Sequence, residues 1–227
     1  SSRPFGRFDA ALSSPEILDE LARRFPAEHT FSISRLEDYA ACPFRFFAVT
    51  VLGLQATELP EEYFLETQVG DLYHDILRDF YLGRRRAGET RLDRVDAGTL
   101  RDEMAAAIRG AFESREASGE GGLPTLWRIQ QEEITERLLG YLEAEAARCA
   151  ESPLAIAPRW VEWSFGAGRR DQDDPESVDD VRAILSPHGP VRIRGRIDRV
   201  DILAAGDEAK ALAVVDYKSG GKPGGIT

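Results

Sequence analysis

The chain has 227 residues, of which 42% are hydrophobic, enough apolar material for a sizeable core and too much for global disorder. It contains no run of about 18 apolar residues, which excludes a membrane-spanning helix, and its first residues, SSRPFGRF, lack the apolar centre of a secretion signal. The net charge of −11 argues on its own against a nucleic-acid ligand. The distribution weakens that objection: residues 171–180 (DQDDPESVDD) hold six acids and no base, whereas residues 192–199 (RIRGRIDR) hold four arginines and one acid. Two widely spaced cysteines, Cys42 and Cys149, make no disulfide framework and lead to the expectation of a reducing cytoplasm.

In chain order, residues 1–30 read as a lead-in segment of a single domain over 1–227. Within it, Ser14-Pro15-Glu16 marks a helix start, with serine as N-cap and proline in the first turn. Ser34-Arg35-Leu36-Glu37 has capping-box spacing and predicts a helical segment to about Phe47, with Pro43 as a kink or junction. The strongest helix is predicted over about Glu66 to Arg86, where Val69, Leu72, Tyr73, Ile76, Leu77, Phe80 and Tyr81 form one apolar stripe. A further helix carries Leu100, Met104, Ile108, Ala111 and Phe112. After the loop SGEGGLP, another runs from about Thr125 to Cys149.

Beyond Pro158 the period changes to two, predicting strands over Trp160–Phe165, 191–202 and 211–218. The acidic segment 166–190 reads as a mobile surface insert. Helices first and a sheet afterwards give an α/β fold with a mixed or antiparallel sheet.

The last two strands carry the chemistry. A hairpin with its tip at Asp207 sets Asp198 opposite Asp216, and directly facing side chains lie about 4.5–5.5 Å apart. Two carboxylates that close repel unless compensated, and Mg²⁺, which takes one or two carboxylates and binds substrate phosphate, compensates them. Lys218 shares the face of Asp216, where an ammonium can hold a phosphate or orient the attacking water. His74 lies beside the apolar stripe of the 66–86 helix; its spacing alone favours an ordinary boundary histidine. A plain salt-bridge cluster is the competing account of Asp198, Asp216 and Lys218.

The segments FSISRLEDYAACPFRFF, GDLYHDILRDFY, GRIDRVD and VVDYKSGGKP, in this order over residues 31–223, resemble the successive motifs of the RecB/AddB-like PD-(D/E)XK nuclease family. The resemblance implies a restriction-endonuclease-like core, a mixed sheet flanked by helices, here with a helical N-terminal part. It implies Mg²⁺ or Mn²⁺ held by His74, Asp198, Asp216 and the carbonyl of Tyr217, with Lys218 as the catalytic lysine and Glu162, in WVEWSF, as a secondary acidic position. Arg192, Arg194 and Arg196 share a face with Asp198 and are candidates for contacting the nucleic-acid backbone.

The family pattern continues with a helix that this chain does not contain. Of four cluster cysteines in AddB-like members, only Cys42 has a counterpart here. The expectation is therefore a C-terminally truncated piece of a longer protein, with an iron–sulfur cluster only in the full-length form. The function expected is metal-dependent DNA cleavage, exonucleolytic or endonucleolytic, in a DNA repair or recombination helicase–nuclease, with DNA and a helicase subunit or domain as partners. The rivals are a catalytically silent DNA-binding or scaffolding module on the same fold and a small-phosphoester hydrolase.

Overall fold

The computed structural model describes residues 14–54, 66–119, 123–166, 174–186 and 189–218. The chain divides into two compact units, one formed by 1–58 with 164–196 and the other by 59–163 with 197–227.

In the first unit, α1 (Pro15–Arg24) begins at the expected Ser14. A three-residue strand, β1 (Thr30–Ser32), leads into α2 (Ile33–Ala41). The capping serine is Ser32, whose hydroxyl accepts the Arg35 N–H, so the helix starts earlier than the Ser34 signal suggested. Cys42 is extended and ends it. Its Sγ accepts the Arg45 N–H at the start of α3 (Pro43–Phe46), and Pro43 is a junction between helices. A π-helical turn, Phe47–Val51, follows.

The second unit holds the hydrophobic core. It contains α4 (Glu66–Arg86), α5 (Ala97–Ala117) and α6 (Pro124–Glu151). Asp96 caps α5 through its carboxylate and the Thr99 N–H. Leu72, Ile76, Leu77, Phe80 and Tyr81 of α4 are buried with Leu100, Met104, Ile108 and Phe112 of α5 and Trp127, Ile134, Leu138 and Leu142 of α6. Each such side chain contributes about 1.5–3 kcal/mol on burial, so the helical period located the core correctly.

The strands are β2 (Ala155–Phe165), β3 (Val181–Ser186), β4 (Gly189–Ala205) and β5 (Glu208–Val215). With β1 they form a five-stranded mixed sheet in which β4 is central: β1 pairs with it in parallel, β3 and β5 antiparallel, and β2 is its other neighbour. The β4–β5 hairpin has the expected register, with Arg199↔Val215, Asp201↔Ala213 and Leu203↔Ala211 as partners. It turns at Gly206, φ 61°, and is irregular only between Leu203 and Ala204.

The acidic segment departs from a plain loop. Val181–Ser186 is a strand, Asp174 is fully buried, and its carboxylate accepts the Glu176 N–H at 2.9 Å. Val178 exchanges backbone hydrogen bonds with Ser164 and Gly166. Gly166 (φ 81°) passes so close to β4 that a Cβ there would meet the Ile193 carbonyl at 2.2 Å. Residues 167–173, with the first acids of the run, lie outside the described residues.

Candidate metal centre

Three elements of the second unit meet at one point. His74 comes from the middle of α4, Glu162 from β2 and Asp198 from β4. His74 Nδ1 lies 3.1 Å from Glu162 Oε1 and 3.6 Å from Asp198 Oδ1. The three ligand atoms lie within 4.8 Å of one another. Glu162 is 4% exposed, Asp198 12% and His74 27%, so the two carboxylates face the site from inside while the imidazole reaches the surface.

Glu162 has φ 50°, the one positive value at a non-glycine residue among those described. Such a conformation costs about 1–3 kcal/mol and persists where the surroundings impose it, often at functional sites. Its local effect is visible in burial: adjacent Val161 and Glu162 are both buried, where a regular strand would send one outward. The kink turns the carboxylate towards His74.

Asp198 is oriented from behind. Its Oδ2 accepts the Tyr217 backbone N–H at 2.7 Å, which leaves Oδ1 on the His74 side. Its carboxyl pKa is raised, first by burial and further by the charges of Glu162 and Asp216; the Tyr217 N–H and His74 oppose the rise. Two buried carboxylates brought to one point repel each other, and a cation relieves that repulsion. One imidazole nitrogen and two carboxylate oxygens form a donor set suited to a small divalent ion, so the residues fit the metal that the fold implies.

The remaining expected residues are arranged differently. Asp216 and Lys218, just after β5, form an ion pair at 2.8 Å and are 59% and 75% exposed. Asp216 is outside the three-residue group, although its charge reaches Asp198. The hairpin ladder ends at Arg199↔Val215, one step before Asp198 and Asp216. Tyr217 between them is half-buried, and its ring meets the His74 ring edge-on at 5.8 Å.

Glu162, placed second by the sequence, is one of the three clustered residues. Its signal was an acid in a strand otherwise reading Trp160, Val161, Trp163. Arg192, Arg194 and Arg196 are in the first unit. Arg192 faces Arg182 of β3 in the ladder, and Asp180 lies 3.3 Å from Arg182 and 3.9 Å from Arg192. Cys42 is a half-buried free thiol. Cys149 is buried, and burial pushes its thiol up to about 11.

Residues 30–225 match the PD-(D/E)XK nuclease superfamily. The chain is 33% identical over 204 residues to an ATP-dependent helicase/deoxyribonuclease subunit of Moorella thermoacetica, covering 88% of this chain and 16% of that protein. It is 31% identical over 208 residues to the protein of the same name from Desulforudis audaxviator, covering 91% and 16%, and 33% identical over 193 residues to that of Lysinibacillus sphaericus, covering 84% and 15%. The chain therefore spans about one sixth of the length of these relatives. The family match over most of the chain, together with the His74–Glu162–Asp198 cluster on an α/β sheet, shows that this chain belongs to the PD-(D/E)XK nuclease superfamily.

Proposed function

We propose that the chain hydrolyses DNA phosphodiesters as the Mg²⁺- or Mn²⁺-dependent nuclease module of a DNA repair or recombination helicase–nuclease. The observation that carries this reading is the convergence of His74, Glu162 and Asp198 within 4.8 Å beside the Asp216–Lys218 pair. His74, Glu162 and Asp198 would hold the ion, with Asp216 and the Tyr217 carbonyl as further ligands. A divalent cation bound there supplies Lewis-acid polarisation of the phosphate. Lys218 reaches the same phosphate from the solvent side, releases Asp216, and offsets the charge that develops on the non-bridging oxygens. Tyr217 holds Asp198 in one orientation through its N–H throughout.

DNA and a helicase subunit or domain are the proposed partners, supported by the names of the relatives. Arg192, Arg194 and Arg196 hold the DNA backbone. Exonucleolytic action is the favoured mode and the cytoplasm the favoured compartment, in keeping with two free cysteines. An iron–sulfur cluster using Cys42 needs thiolates beyond those of this chain. Loss of a site residue would favour the silent-module alternative, and His74, Asp198, Asp216 and Lys218 are all present.

The test is cleavage of end-labelled single- and double-stranded DNA with Mg²⁺, with Mn²⁺ and with EDTA, beside Asp216→Ala. Metal-dependent release of nucleotides that the variant lacks supports the reading. DNA binding without cleavage under every metal condition supports the silent module.

A further inference from the structure

Behind the metal cluster lies a second polar assembly. Arg199 of β4, next in sequence to Asp198, is 1% exposed. Its guanidinium donates to the hydroxyls of Tyr81 on α4, Tyr141 on α6 at 2.8 Å and Tyr217 at 3.4 Å. It also pairs with Glu145 of α6 and with Asp201 at 2.8–2.9 Å, and it lies 4.7 Å from the Tyr81 ring centre. Arg148 pairs with Glu145 at 2.7 Å and adds a second positive charge beside the two acids.

A buried ionic group of this kind contributes little net stability over a well-packed apolar core. Stability alone therefore does not account for a guanidinium at this position. Its connection to the metal cluster does. Tyr217 is shared between the two assemblies: its hydroxyl belongs to the Arg199 cage, its N–H holds Asp198, and its ring touches His74 edge-on. Its ring contacts with Tyr141 at 6.1 Å and with the Arg199 guanidinium at 6.0 Å also belong to the cage. Two of the three clustered ligands thus take their placement from one residue that Arg199 fixes.

We propose that Arg199 is a positioning residue for the metal centre, acting through Tyr217 to hold Asp198 and His74 in their ligating arrangement. This rests on the metal-centre reading above and adds the element that pre-shapes it. A planar guanidinium reaches three hydroxyls and two carboxylates at once; a lysine ammonium in its place has only three donors and no fixed fork.

The experiment is Mn²⁺ titration calorimetry on the full chain, with thermal unfolding of the metal-free protein, for Tyr217→Phe and Arg199→Lys, with Asp198→Ala alongside. Tyr217→Phe removes only the hydroxyl that meets Arg199 and keeps the N–H. It is expected to fold with a metal-free midpoint close to the parent and to bind Mn²⁺ about 10-fold more weakly, within the 10–100-fold range of supporting groups around metals. Arg199→Lys is expected to weaken binding further, and raised Mn²⁺ is expected to restore DNA cleavage in Tyr217→Phe. Parental Mn²⁺ affinity in Tyr217→Phe overturns the proposal, whether or not Arg199→Lys folds. So does a fall in the metal-free midpoint with no change in affinity, which marks a purely structural cage. Undiminished Mn²⁺ binding in Asp198→Ala overturns the metal-centre reading itself and the positioning role with it, whereas loss there beside parental binding in Tyr217→Phe overturns the positioning role alone.

Discussion

Asp198 and Tyr217, 19 residues apart, are joined by a 2.7 Å hydrogen bond from the Tyr217 backbone N–H to Asp198 Oδ2. One carboxylate oxygen is thereby occupied, and the other faces His74 at 3.6 Å. Burial raises the Asp198 carboxyl pKa above its value in an unfolded chain. The folded metal-free protein then binds that proton more tightly than the unfolded one, so stability falls as pH rises from 3.8 through the raised folded value. Asp198→Asn keeps an acceptor for the Tyr217 N–H and removes the charge. Scanning calorimetry of the metal-free variant at pH 7 is expected to show a midpoint above the parent's. Mn²⁺ binding is expected to be lost. A lower midpoint would show that the charge is already compensated.

Glu162 gives a separable prediction because its backbone and side chain act differently. Glu162→Gln leaves the φ 50° conformation in place and removes one of the two buried negative charges beside His74. Loss of supporting groups around metals costs about 10–100-fold in affinity, and a direct ligand more, so Mn²⁺ affinity is expected to fall by at least about 100-fold. Glu162→Gly removes the same ligand but suits the positive φ, so it is expected to match Glu162→Gln in metal binding while unfolding at or above the parental midpoint. Full Mn²⁺ affinity in both variants would remove Glu162 from the ligand set.

The extent to which the sequence disclosed this arrangement follows from what each signal depends on. Helical stripes such as Leu72, Ile76 and Phe80 depend on local spacing, and α4 has the expected limits. The β4–β5 register followed from one turn at Gly206-Asp207. β1 and β3 were missed because a three-residue strand is too short to show a period, and because the acids before Val181 masked the strand after them. Glu162 joins the cluster from a position with φ 50°, a backbone conformation that no periodicity reports. The Arg199 cage did leave a trace. Val191, Ile193 and Ile197 mark the apolar face of β4, and Arg199 and Asp201 continue that same face. Charges on a core face require buried partners, and the partners, Tyr81, Tyr141 and Glu145, come from helices distant in sequence.

Asp216 and Lys218 are expected to separate metal binding from chemistry. Both are well exposed, and their 2.8 Å ion pair belongs to a class contributing only about 0–1 kcal/mol, so neither alanine variant should unfold measurably earlier. Asp216→Ala is expected to abolish cleavage and weaken Mn²⁺ binding. Lys218→Ala is expected to abolish or sharply reduce cleavage while Mn²⁺ binding persists. Calorimetry beside a labelled-DNA assay checks both. Cleavage by Asp216→Ala, or equal loss of metal in the two variants, would show the assigned roles to be wrong.

Asp174 turns the acidic segment from a mobile surface insert into a partly structural one. Its carboxylate is fully buried and accepts the Glu176 N–H, and the Ser177 hydroxyl accepts the Ser164 N–H at 2.9 Å. Asp174→Ala is expected to destabilise the chain by about 1.5–3 kcal/mol, the contribution of a hydrogen bond to a charged group. Deleting 171–180 is expected to be worse, because it also removes Val178, which bonds to Ser164 and Gly166. Urea titration measures both, and a midpoint for Asp174→Ala equal to the parent would restore the plain-loop account.

The arginines of β4 provide the test of DNA engagement, and salt is the variable that isolates it. Each phosphate neutralised by a cationic side chain releases condensed counterions, so the slope of log K against log salt changes by about 0.7–0.9 per contact, the lower value for single strands. Replacing Arg192, Arg194 and Arg196 together by alanine is expected to flatten that slope by about 2–3 if all three hold the backbone. Asp180 complicates the count in a useful direction. It lies 3.9 Å from Arg192 and 3.3 Å from Arg182, where it competes with phosphate for the same guanidinium groups. Asp180→Asn is therefore expected to tighten DNA binding at low salt and to steepen the slope. Neither substitution touches the metal ligands, so Mn²⁺ affinity is expected to stay at the parental value in both. Fluorescence anisotropy with labelled single- and double-stranded DNA between about 50 and 200 mM salt, a range over which phosphate contacts alter affinity by orders of magnitude, measures the slopes directly. A triple-alanine slope equal to the parent would exclude these arginines from the DNA path, and the backbone contacts would then have to come from other cationic side chains.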